Sequence, residues 1–452
     1  MRDDTDELLS LARKIVKRAL QGADVAEASA GSSWDLSAKV RLGEPELVEE
    51  AGQRGVSLRV IRDGRVAMTS TSDLSEAGIE RCVSDALELA ELSQRDEFAG
   101  PAPVELLCAP PHPDLDLFDS GMAALDADTA ITRARKAERA ALDFDPRITL
   151  SEGATFSRTS SVRAMVLSNG FEGTLSGSYA SLVVAPVVED AGGKRRRGSY
   201  WTARRHLEDL EADEDVGREA ARRTLAKLGA RKIDTCEAPV VFDTDAARSI
   251  VGTFAGCITG GSLWRKSSYL LGRIGTEVAS PLVTFVDDPF LRRGPGSRPF
   301  DGEGLRSRKN EVVRGGQLET YLLDCYSARK LGLESTASAS RGGGAIGAST
   351  TNFVMQAGDR SRDELIAQTS RGLLVTEMMG FGFNGITGDF SRGAAGFWIE
   401  DGRIAFPVSE VTISSNLDAM LRGIDAVAND LELKTSTAAP TFRVASMTIA
   451  GS

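Results

Sequence analysis

The chain has 452 residues, of which 41% are hydrophobic and 26% charged, an ordinary composition for a globular protein of two or three domains. Its formal net charge of −11 at pH 7 disfavours nucleic acid as a partner, because an acidic protein repels the phosphate backbone. With two histidines and five dispersed cysteines, the chain cannot build a His-rich zinc site by itself.

The N-terminal part combines helices with short strands. Hydrophobic side chains recur at helical spacing over residues 4–22 and 74–93. Between these helices, short alternating runs predict strands, and Asp63-Gly64 is typical of a β-hairpin turn. We therefore predict a domain of mixed helices and strands over residues 1–100, with a proline-rich linker at 95–120.

The central part, residues 115–230, has a different pattern. A helix is predicted at 127–143, and a meander of hairpins at 148–201 turns at Asn169-Gly170. A charged helix is predicted at 207–228. These elements predict a second domain of helices and antiparallel strands.

The remaining residues, 235–452, are rich in glycine and predict a mainly antiparallel β domain. Strands and helices do not alternate as βαβ units, so the fold class predicted for the whole chain is α+β. The predicted elements are a strand at 240–242, helices at 246–258, 361–370 and 416–428, and hairpins at 311–323 and 397–408.

Signals for membranes and secretion are missing from the sequence. No apolar run approaches the roughly 20 residues that cross a bilayer. The first ten residues carry four acidic side chains and no apolar stretch, so we expect no secretory signal. Together with the dispersed cysteines, this predicts a cytoplasmic protein without a membrane partner.

Residues 380–385, Gly-Phe-Gly-Phe-Asn-Gly, match the dinucleotide-binding pattern G-x-G-x-x-G. That pattern needs a helix to begin at its last glycine, because the helix N-terminus holds the pyrophosphate. Residues 386–396 contain three further glycines and no helical periodicity, so we interpret these glycines as turn residues.

Ser327 and Lys330 have the S-x-x-K spacing in which a lysine activates a serine nucleophile. The companion S-D-N and K-T-G elements are missing from the sequence. Ser327 is therefore better explained as the N-cap of a helix, although hydrolysis by this pair stays open as a hypothesis.

Three carboxylates, Asp301, Glu303 and Asp389, lie among glycines and are candidate ligands for a hard metal ion. The sequence around them supplies too few further ligands. We favour a role in turns, where such side chains accept hydrogen bonds from nearby backbone N–H groups, with Asp389 paired to Arg392.

A series of glycine- and aromatic-containing blocks runs in order along nearly the whole chain. The longer blocks span residues 299–304, 326–332, 386–398 and 406–412, and shorter ones lie at 72–74, 114–118, 221–225, 260–262 and 265–267. Together they resemble the TldE branch, also called PmbA, of the TldD/TldE family.

This resemblance implies a cytoplasmic, heterodimeric zinc peptidase that encloses a chamber and degrades or matures unfolded or ribosomally made peptides. In the family, the TldD-type subunit carries the zinc through an H-E-x-x-x-H helix and a late cysteine. The family is also linked to DNA gyrase, hence its older label of gyrase modulator. A homodimer is an expected alternative when the partner is missing.

The zinc-binding helix of the family corresponds to residues 250–261 of this chain. The two His positions fall on Gly252 and Cys257, and the Glu position falls on Thr253. The segment from Lys434 to Thr441 contains no cysteine. A catalytic zinc needs about three protein ligands and a bound water, so we expect no zinc in this chain and zinc in the TldD-type partner.

We therefore expect a non-catalytic subunit that shapes the chamber and binds extended peptide at strand edges. The residues expected to face the chamber or the partner are Arg265, Asp301, Glu303, Asp389 and Arg392. A second hypothesis is a peptide-binding or gyrase-associated adaptor with no part in hydrolysis.

Overall fold

The structure is a computed structural model that describes residues 2–342 and 345–451. Among these residues, the N-terminal half is built on one antiparallel sheet of seven strands. The strands are β1 (Val25–Arg41), β2 (Glu44–Arg62), β3 (Arg65–Thr71), β4 (Leu150–Leu167), β5 (Glu172–Glu189), β6 (Arg195–Arg197) and β7 (Tyr200–Arg204). Their order is β3-β2-β1-β4-β5-β6, and β7 also pairs with β5.

Strand β1 joins the two predicted N-terminal segments into this one sheet. One of its edges pairs with β2, and the other pairs with β4 from Glu27 opposite Leu167 to Val40 opposite Ala154. The division at about residues 100–115 therefore separates groups of helices rather than sheets, and the predicted domain boundaries stay predictions.

In the described part of the chain, five α-helices accompany the sheet and form two hydrophobic cores with the same sheet face. In one core the first two helices cover Ala26, Ala28 and Ala30, and in the other the last two cover Leu36 and Ala38. Because strand side chains alternate, Ser33, Asp35 and Ser37 lie on the opposite face. The helices are α1 (Arg2–Ala19), α2 (Glu76–Leu92), α3 (Ser120–Ala123), α4 (Ala127–Leu142) and α5 (Asp213–Leu225).

The C-terminal half contains the larger core and mostly short elements. Its helices are α6 (Thr244–Cys257), α7 (Gly260–Trp264), α8 (Cys325–Leu331), α9 (Arg362–Ala367) and α10 (Leu417–Arg422). Its strands are β8 (Cys236–Phe242), β9 (Phe285–Asp287), β10 (Asn310–Arg314), β11 (Gln317–Leu318), β12 (Ala339–Gly342), β13 (Ala345–Ala348), β14 (Phe353–Met355), β15 (Arg371–Met379), β16 (Asp389–Glu400), β17 (Arg403–Asn416), β18 (Ile424–Val427), β19 (Thr437–Ala438) and β20 (Phe442–Ala450).

Five of these strands close into a ring, in the order β17-β16-β15-β8-β20 and back to β17, while β18 extends from β20. A second sheet has the order β11-β10-β9-β14-β19. Helix α6 lies between them, because Phe254 packs against Phe285 of β9 and shares its core with Val240 and Leu373 of the ring. Because one side of α6 is buried between the two sheets, only its opposite side is exposed.

The predicted α+β class and the mainly antiparallel C-terminal domain are confirmed. The turns at Asp63-Gly64, Asn169-Gly170 and 401–402 are hairpins as predicted. No helix among the described residues has both the length and the apolar character needed to cross a membrane.

Two predicted helices were too long. The helix predicted at 207–228 is a short 3₁₀ turn at Leu207–Asp209, followed by α5 from Asp213. Three acidic residues in the first turn of α5 favour that start, because they interact well with the helix N-terminus. The helix predicted at 416–428 ends at Gly423, and the chain continues as β18, which pairs with β20.

Candidate functional site

Helix α6 exposes a narrow face of small side chains, here called the glycine face: Ser249, Gly252, Thr253 and Gly256. Gly252 and Gly256 are exposed, whereas Ile250, Val251 and Phe254 on the other side are buried. A Cβ atom added at Gly256 would meet nothing within 4 Å. At this glycine the helix backbone is therefore exposed, with no neighbouring atoms over it.

The late segment of the chain comes alongside this face. A Cβ added at Gly252 would lie 4.0 Å from the methyl group of Thr437 in β19. The helix and the late segment correspond to the two regions that are expected to bind zinc in TldD-type subunits. In this fold the two regions are neighbours. Their side chains at the closest point are a hydrogen and a methyl group.

Cys257 and Thr253 use their polar atoms within the helix. Cys257 is 3% exposed, and its thiol donates to the carbonyl oxygen of Thr253 at 3.5 Å. The Thr253 hydroxyl donates to the carbonyl oxygen of Ser249 at 2.9 Å. Burial raises the pKa of Cys257 to about 12, so the thiolate that a metal requires is disfavoured.

The donor set at these positions does not fit zinc. Gly252 offers no ligand, Thr253 a neutral hydroxyl and Cys257 a protonated thiol. In the part of the chain that the structure describes, no three His, Cys, Asp or Glu side chains are grouped to hold a metal ion. That this chain carries no zinc stays a prediction, and no step is derived through the ion.

Arg392 of β16 brings a cation to the glycine face. Its Nη1 donates to the hydroxyl of Ser249 at 2.8 Å. Its Nε is buried and has no hydrogen-bond partner among the described residues, and burial lowers the pKa of the guanidinium. The interpretation of Arg392 as the partner of Asp389 was wrong, because residues three apart on a strand project from opposite faces.

Asp389 is the first residue of β16, directly after the turn at residues 385–387. One carboxylate oxygen accepts from the hydroxyl of Thr387 at 2.6 Å, and the other lies 3.4 Å from the amide nitrogen of Asn416. The carboxylate thus bonds to two side chains and not, as predicted, to nearby backbone N–H groups.

The loop of residues 380–388 lies near the C-terminal end of α6. The Gly385 carbonyl accepts from the backbone N–H of Tyr269 at 2.8 Å, and the neighbouring Ser268 hydroxyl donates to the carbonyl of Cys257 at 2.6 Å. Phe381 is 100% exposed and Ile386 63% exposed, so the loop presents two apolar side chains.

The glycines of this loop serve the backbone rather than a dinucleotide. The loop leads into strand β16, not into a helix. A Cβ at Gly382 would lie 1.6 Å from the carbonyl oxygen of Ser391, so only glycine fits there. The G-x-G-x-x-G match is thus explained by close packing of the backbone.

Asp301 and Glu303 are buried, at 2% and 3% exposure. Asp301 accepts from the backbone N–H groups of Glu303, Leu305 and Ala339 at 2.9–3.1 Å, and Glu303 accepts from that of Cys325 at 2.8 Å. Burial, and then the charge of Asp301, raises the pKa of Glu303 to about 7. Both carboxylates hold turns together and do not face open solvent.

Arg265 is exposed at the end of α7, where its guanidinium lies 4.7 Å from the ring centre of Trp264. Trp264 in turn packs edge-on against Tyr326 of α8, with ring centres 5.8 Å apart. Nothing in the described contacts links Arg265 to Arg392 or to the two buried carboxylates. The five predicted residues therefore do not form one site.

The serine–lysine hypothesis finds no support in the geometry. Ser327 is 1% exposed, and its hydroxyl donates to Asp324. Asp324, not Ser327, is the N-cap of α8, so the predicted cap position was wrong by three residues. Lys330 lies beside Asp96 at 3.7 Å rather than beside the serine.

Two parts of this site were missed in the sequence. Ser249 completes a series of small residues at positions 249, 252, 253 and 256, and this helical spacing was a usable signal. The exposure of Phe381 and Ile386 left no such signal, because apolar residues among glycines resemble a buried strand.

Comparison with known proteins shows that the chain is similar to one protein family. Three models of the PmbA/TldA metallopeptidases match the chain: domain 1 at residues 26–90, the central domain at 122–228 and the C-terminal domain at 235–451. Metalloprotease PmbA of Escherichia coli O157:H7 is 38% identical over 447 residues, which cover 97% of each chain.

Solved structures agree with this result. A protein of Bacteroides thetaiotaomicron described as a modulator of DNA gyrase is 29% identical, with a TM-score of 0.92 over 99% of this chain and 100% of that one. TldE from Thermococcus kodakarensis, at 22% identity, has the same fold with a TM-score of 0.85 over 98% of this chain and 100% of its own. From these matches and the PmbA relative, we conclude that the chain belongs to the PmbA/TldD metallopeptidase family.

Proposed function

We propose that this chain is the TldE-type subunit of a cytoplasmic, two-subunit zinc peptidase and that its TldD-type partner supplies the zinc. In this role the chain shapes the chamber and binds extended peptide, while hydrolysis takes place on the partner. The proposal extends the family membership, which by itself does not assign a role to each subunit.

The observation that carries the proposal is the pairing of α6 with the late segment at Gly252 and Thr437. The helix and the late segment lie side by side, as expected for the zinc-binding regions of a TldD-type subunit. At the aligned positions, however, Gly252, Thr253 and Cys257 offer no suitable zinc ligands. A chain that has this backbone arrangement but lacks the zinc ligands is better suited to shape the surroundings of a zinc site on its partner than to bind zinc itself.

The polar face of the N-terminal sheet supports the peptide-binding part. Opposite the helices, Ser37 and Ser157 lie with their hydroxyl oxygens 3.0 Å apart, and Asp35 accepts from Thr159. Short hydroxyl side chains leave room for an extended chain and select weakly among side chains. Such a face suits a protein that handles unfolded segments of varied sequence.

The glycine face and the loop of residues 380–388 support contact with another chain. Bare helix backbone at Gly252 and Gly256 permits close approach, and Phe381 and Ile386 expose apolar area next to it. Exposed apolar groups beside polar ones are typical of surfaces that bind a partner. We place the TldD-type subunit and the peptide path on this side of α6.

Reconstitution tests the proposal. The chain is purified alone, the TldD-type protein from the same source is purified alone, and the two are mixed. Peptidase activity on an unfolded peptide and zinc per subunit, by elemental analysis, are measured for all three samples. We expect zinc in the partner, a stable complex of one copy each, and faster peptide cleavage by the complex than by either chain.

Two outcomes would reject the proposal in different ways. Stoichiometric zinc and peptidase activity in the isolated chain would show that it is itself the metalloenzyme. A stable complex whose cleavage rate equals that of the partner alone would instead favour the adaptor hypothesis.

A further inference from the structure

A cavity of about 450 Å³ lies at the N-terminal end of α6, away from the glycine face. It is bounded by α5, the start of α9 and strands of the ring, and its lining includes Asp243, Arg362, Phe397 and Ile404. Asp243 and Cys257 stand at opposite ends of a 14-residue helix, which is about 20 Å long. The cavity is thus separate from the proposed peptide path.

The charges around the cavity are balanced. Four cationic and four acidic side chains line it: Arg222, Arg223, Lys227 and Arg362, and Asp243, Glu377, Asp430 and Glu432. A simple anion would meet the carboxylates, and a simple cation would meet the guanidinium groups. The lining therefore suits a ligand that carries both charges.

Most of these groups already have a hydrogen-bond or ion-pair partner, either in the lining or next to it. Arg222 donates to Glu219 at 2.7 Å, Lys227 pairs with Glu377, and both oxygens of Asp430 accept from Thr441. These pairs form the frame of the cavity and leave little capacity for a ligand.

Asp243 and Arg362 are the exceptions among the described residues. One oxygen of Asp243 accepts from the backbone N–H of Ala246 at 3.1 Å, and the structure gives its other oxygen no partner. The Arg362 guanidinium likewise has no hydrogen bond or ion pair within the described part of the chain. Both line the same cavity, and the charge of Arg362 acts on Asp243 although no hydrogen bond or ion pair joins them among the described residues. One acceptor and one cation therefore stay available for a ligand.

The remaining wall is apolar. Phe397 is half-buried, and Ile404 is 47% exposed. The volume falls within the range of small-molecule sites, which combine an apolar lining with a few polar groups that orient the ligand. An apolar side chain fits this wall while two charged ends reach Asp243 and Arg362.

We propose that this cavity binds a short zwitterionic peptide with an apolar side chain, its ammonium group on Asp243 and its carboxylate on Arg362. The inference rests on the cavity alone and does not depend on the role assigned to the glycine face. Burial raises the pKa of Asp243 to about 7. Affinity should therefore rise several-fold between about pH 6 and pH 8, as the carboxylate loses its proton.

Calorimetric titration of the full chain with the dipeptide leucylglycine tests the proposal. Two blocked forms act as matched probes: the N-acetyl form lacks the ammonium, and the C-terminal amide lacks the carboxylate. We expect each blocked form to bind about 10-fold more weakly than leucylglycine, because each loses a charge-assisted hydrogen bond.

Two variants assign the contacts. Asp243→Asn keeps a capping side chain at the start of α6, and Arg362→Gln removes the charge while keeping a polar side chain. Asp243→Asn should abolish the discrimination against the N-acetyl form only, and Arg362→Gln that against the amide only. Lys136→Gln on the exposed side of α4 is the control, and circular dichroism checks that each variant is folded.

The blocked dipeptides test the wild-type chain without any substitution. Failure of leucylglycine to bind wild-type protein, or equal binding of all three ligands, would overturn the proposal. So would folded variants that keep the full wild-type discrimination. Zinc content and cleavage by the two-subunit complex are measured separately, so failure here leaves the proposed function standing.

Discussion

Arg392 and Ser249 are joined by a hydrogen bond of 2.8 Å from Nη1 to Oγ, which connects strand β16 to the glycine face of α6. A neutral hydroxyl is the only partner that the described residues give this guanidinium, and its buried Nε has none. The guanidinium group of Arg392 therefore has N–H groups that can still donate hydrogen bonds to a ligand. Peptide carbonyl and carboxylate oxygens are the matching acceptors.

The first prediction concerns Arg392→Met, which keeps an unbranched apolar stem and removes the hydrogen-bond donors. In the two-subunit complex we expect the KM for an unfolded peptide to rise about 10-fold, the cost of a charge-assisted hydrogen bond. The melting temperature of the isolated chain should change little, because the side chain has no ion pair there. Arg371→Met on neighbouring β15 is the control, and an unchanged KM in Arg392→Met would contradict a role in peptide binding.

The glycine face permits a prediction with two opposite parts. Gly256→Ala should raise the unfolding free energy of the isolated chain by roughly 0.5–1 kcal/mol, because the added Cβ meets nothing and alanine favours the helix. Gly256→Phe should leave the isolated chain folded but weaken assembly with the TldD-type subunit.

Chemical denaturation measures the first effect, and size-exclusion chromatography of the mixed subunits measures the second. Lys136→Phe on exposed α4 controls for the addition of an aromatic side chain to a helix surface. A Gly256→Phe chain that assembles as well as wild type would show that this face is not at the interface.

Glu303 makes stability depend on pH. Its folded-state pKa of about 7 lies above the ordinary value of 4.5, so the folded chain keeps a proton that the unfolded chain has lost. The contribution of this group to the unfolding free energy therefore falls as pH rises from about 4.5 to 7.

Glu303→Gln removes that titration and keeps one oxygen as an acceptor for the backbone N–H of Cys325. Relative to wild type, we expect this variant to gain about 3 kcal/mol in unfolding free energy between pH 4.5 and pH 8. Urea unfolding at both pH values measures the gain. Glu105→Gln, at an exposed position, should show none, and the same pH dependence in Glu303→Gln and wild type would contradict the assignment.

Glu27 of β1 is buried with two guanidinium groups, from Arg59 of β2 and Arg341 of β12. Burial alone would raise the pKa of Glu27, but the two arginines together hold it below the ordinary value. Glu27→Ala leaves two buried cations without their counter-charge, so we expect destabilisation of about 3–5 kcal/mol in urea unfolding.

Glu46→Ala provides a matched control for this triad. Glu46 pairs with Lys39 and Arg41 at the surface, where water screens the charges, so the loss of this pair should change stability little. Equal effects of Glu27→Ala and Glu46→Ala would show that the buried triad adds nothing to the connection between the N-terminal sheet and β12.

The sequence predicted local features well where one residue type decides them. Asp63-Gly64 and Asn169-Gly170 form the hairpins expected of them, since both pairs tolerate the positive φ of tight turns. The sequence did not predict the full length of β1. Most residues from Ala26 to Ser33 have small side chains that give no strand pattern, yet these residues form a strand because they pair with β2 on one edge and β4 on the other.

The candidate site shows the same limit. The alignment of Gly252, Thr253 and Cys257 with a zinc helix follows from local sequence, but the approach of Thr437 to Gly252 joins residues 185 positions apart. Likewise, the bond between Arg392 and Ser249 depends on how β16 packs against α6. Such contacts are set by the closed ring of strands, and no local pattern encodes them.

The sharing of β1 between two groups of helices has a practical consequence for dissecting this protein. A fragment that stops at residue 100 would lose β4 and leave the β1 edge from Glu27 to Val40 without partners. Long open edges recruit other chains, so this fragment should precipitate on expression. A cut near residue 232, after β7 and α5, keeps the seven-stranded sheet whole and is the better place to divide the gene.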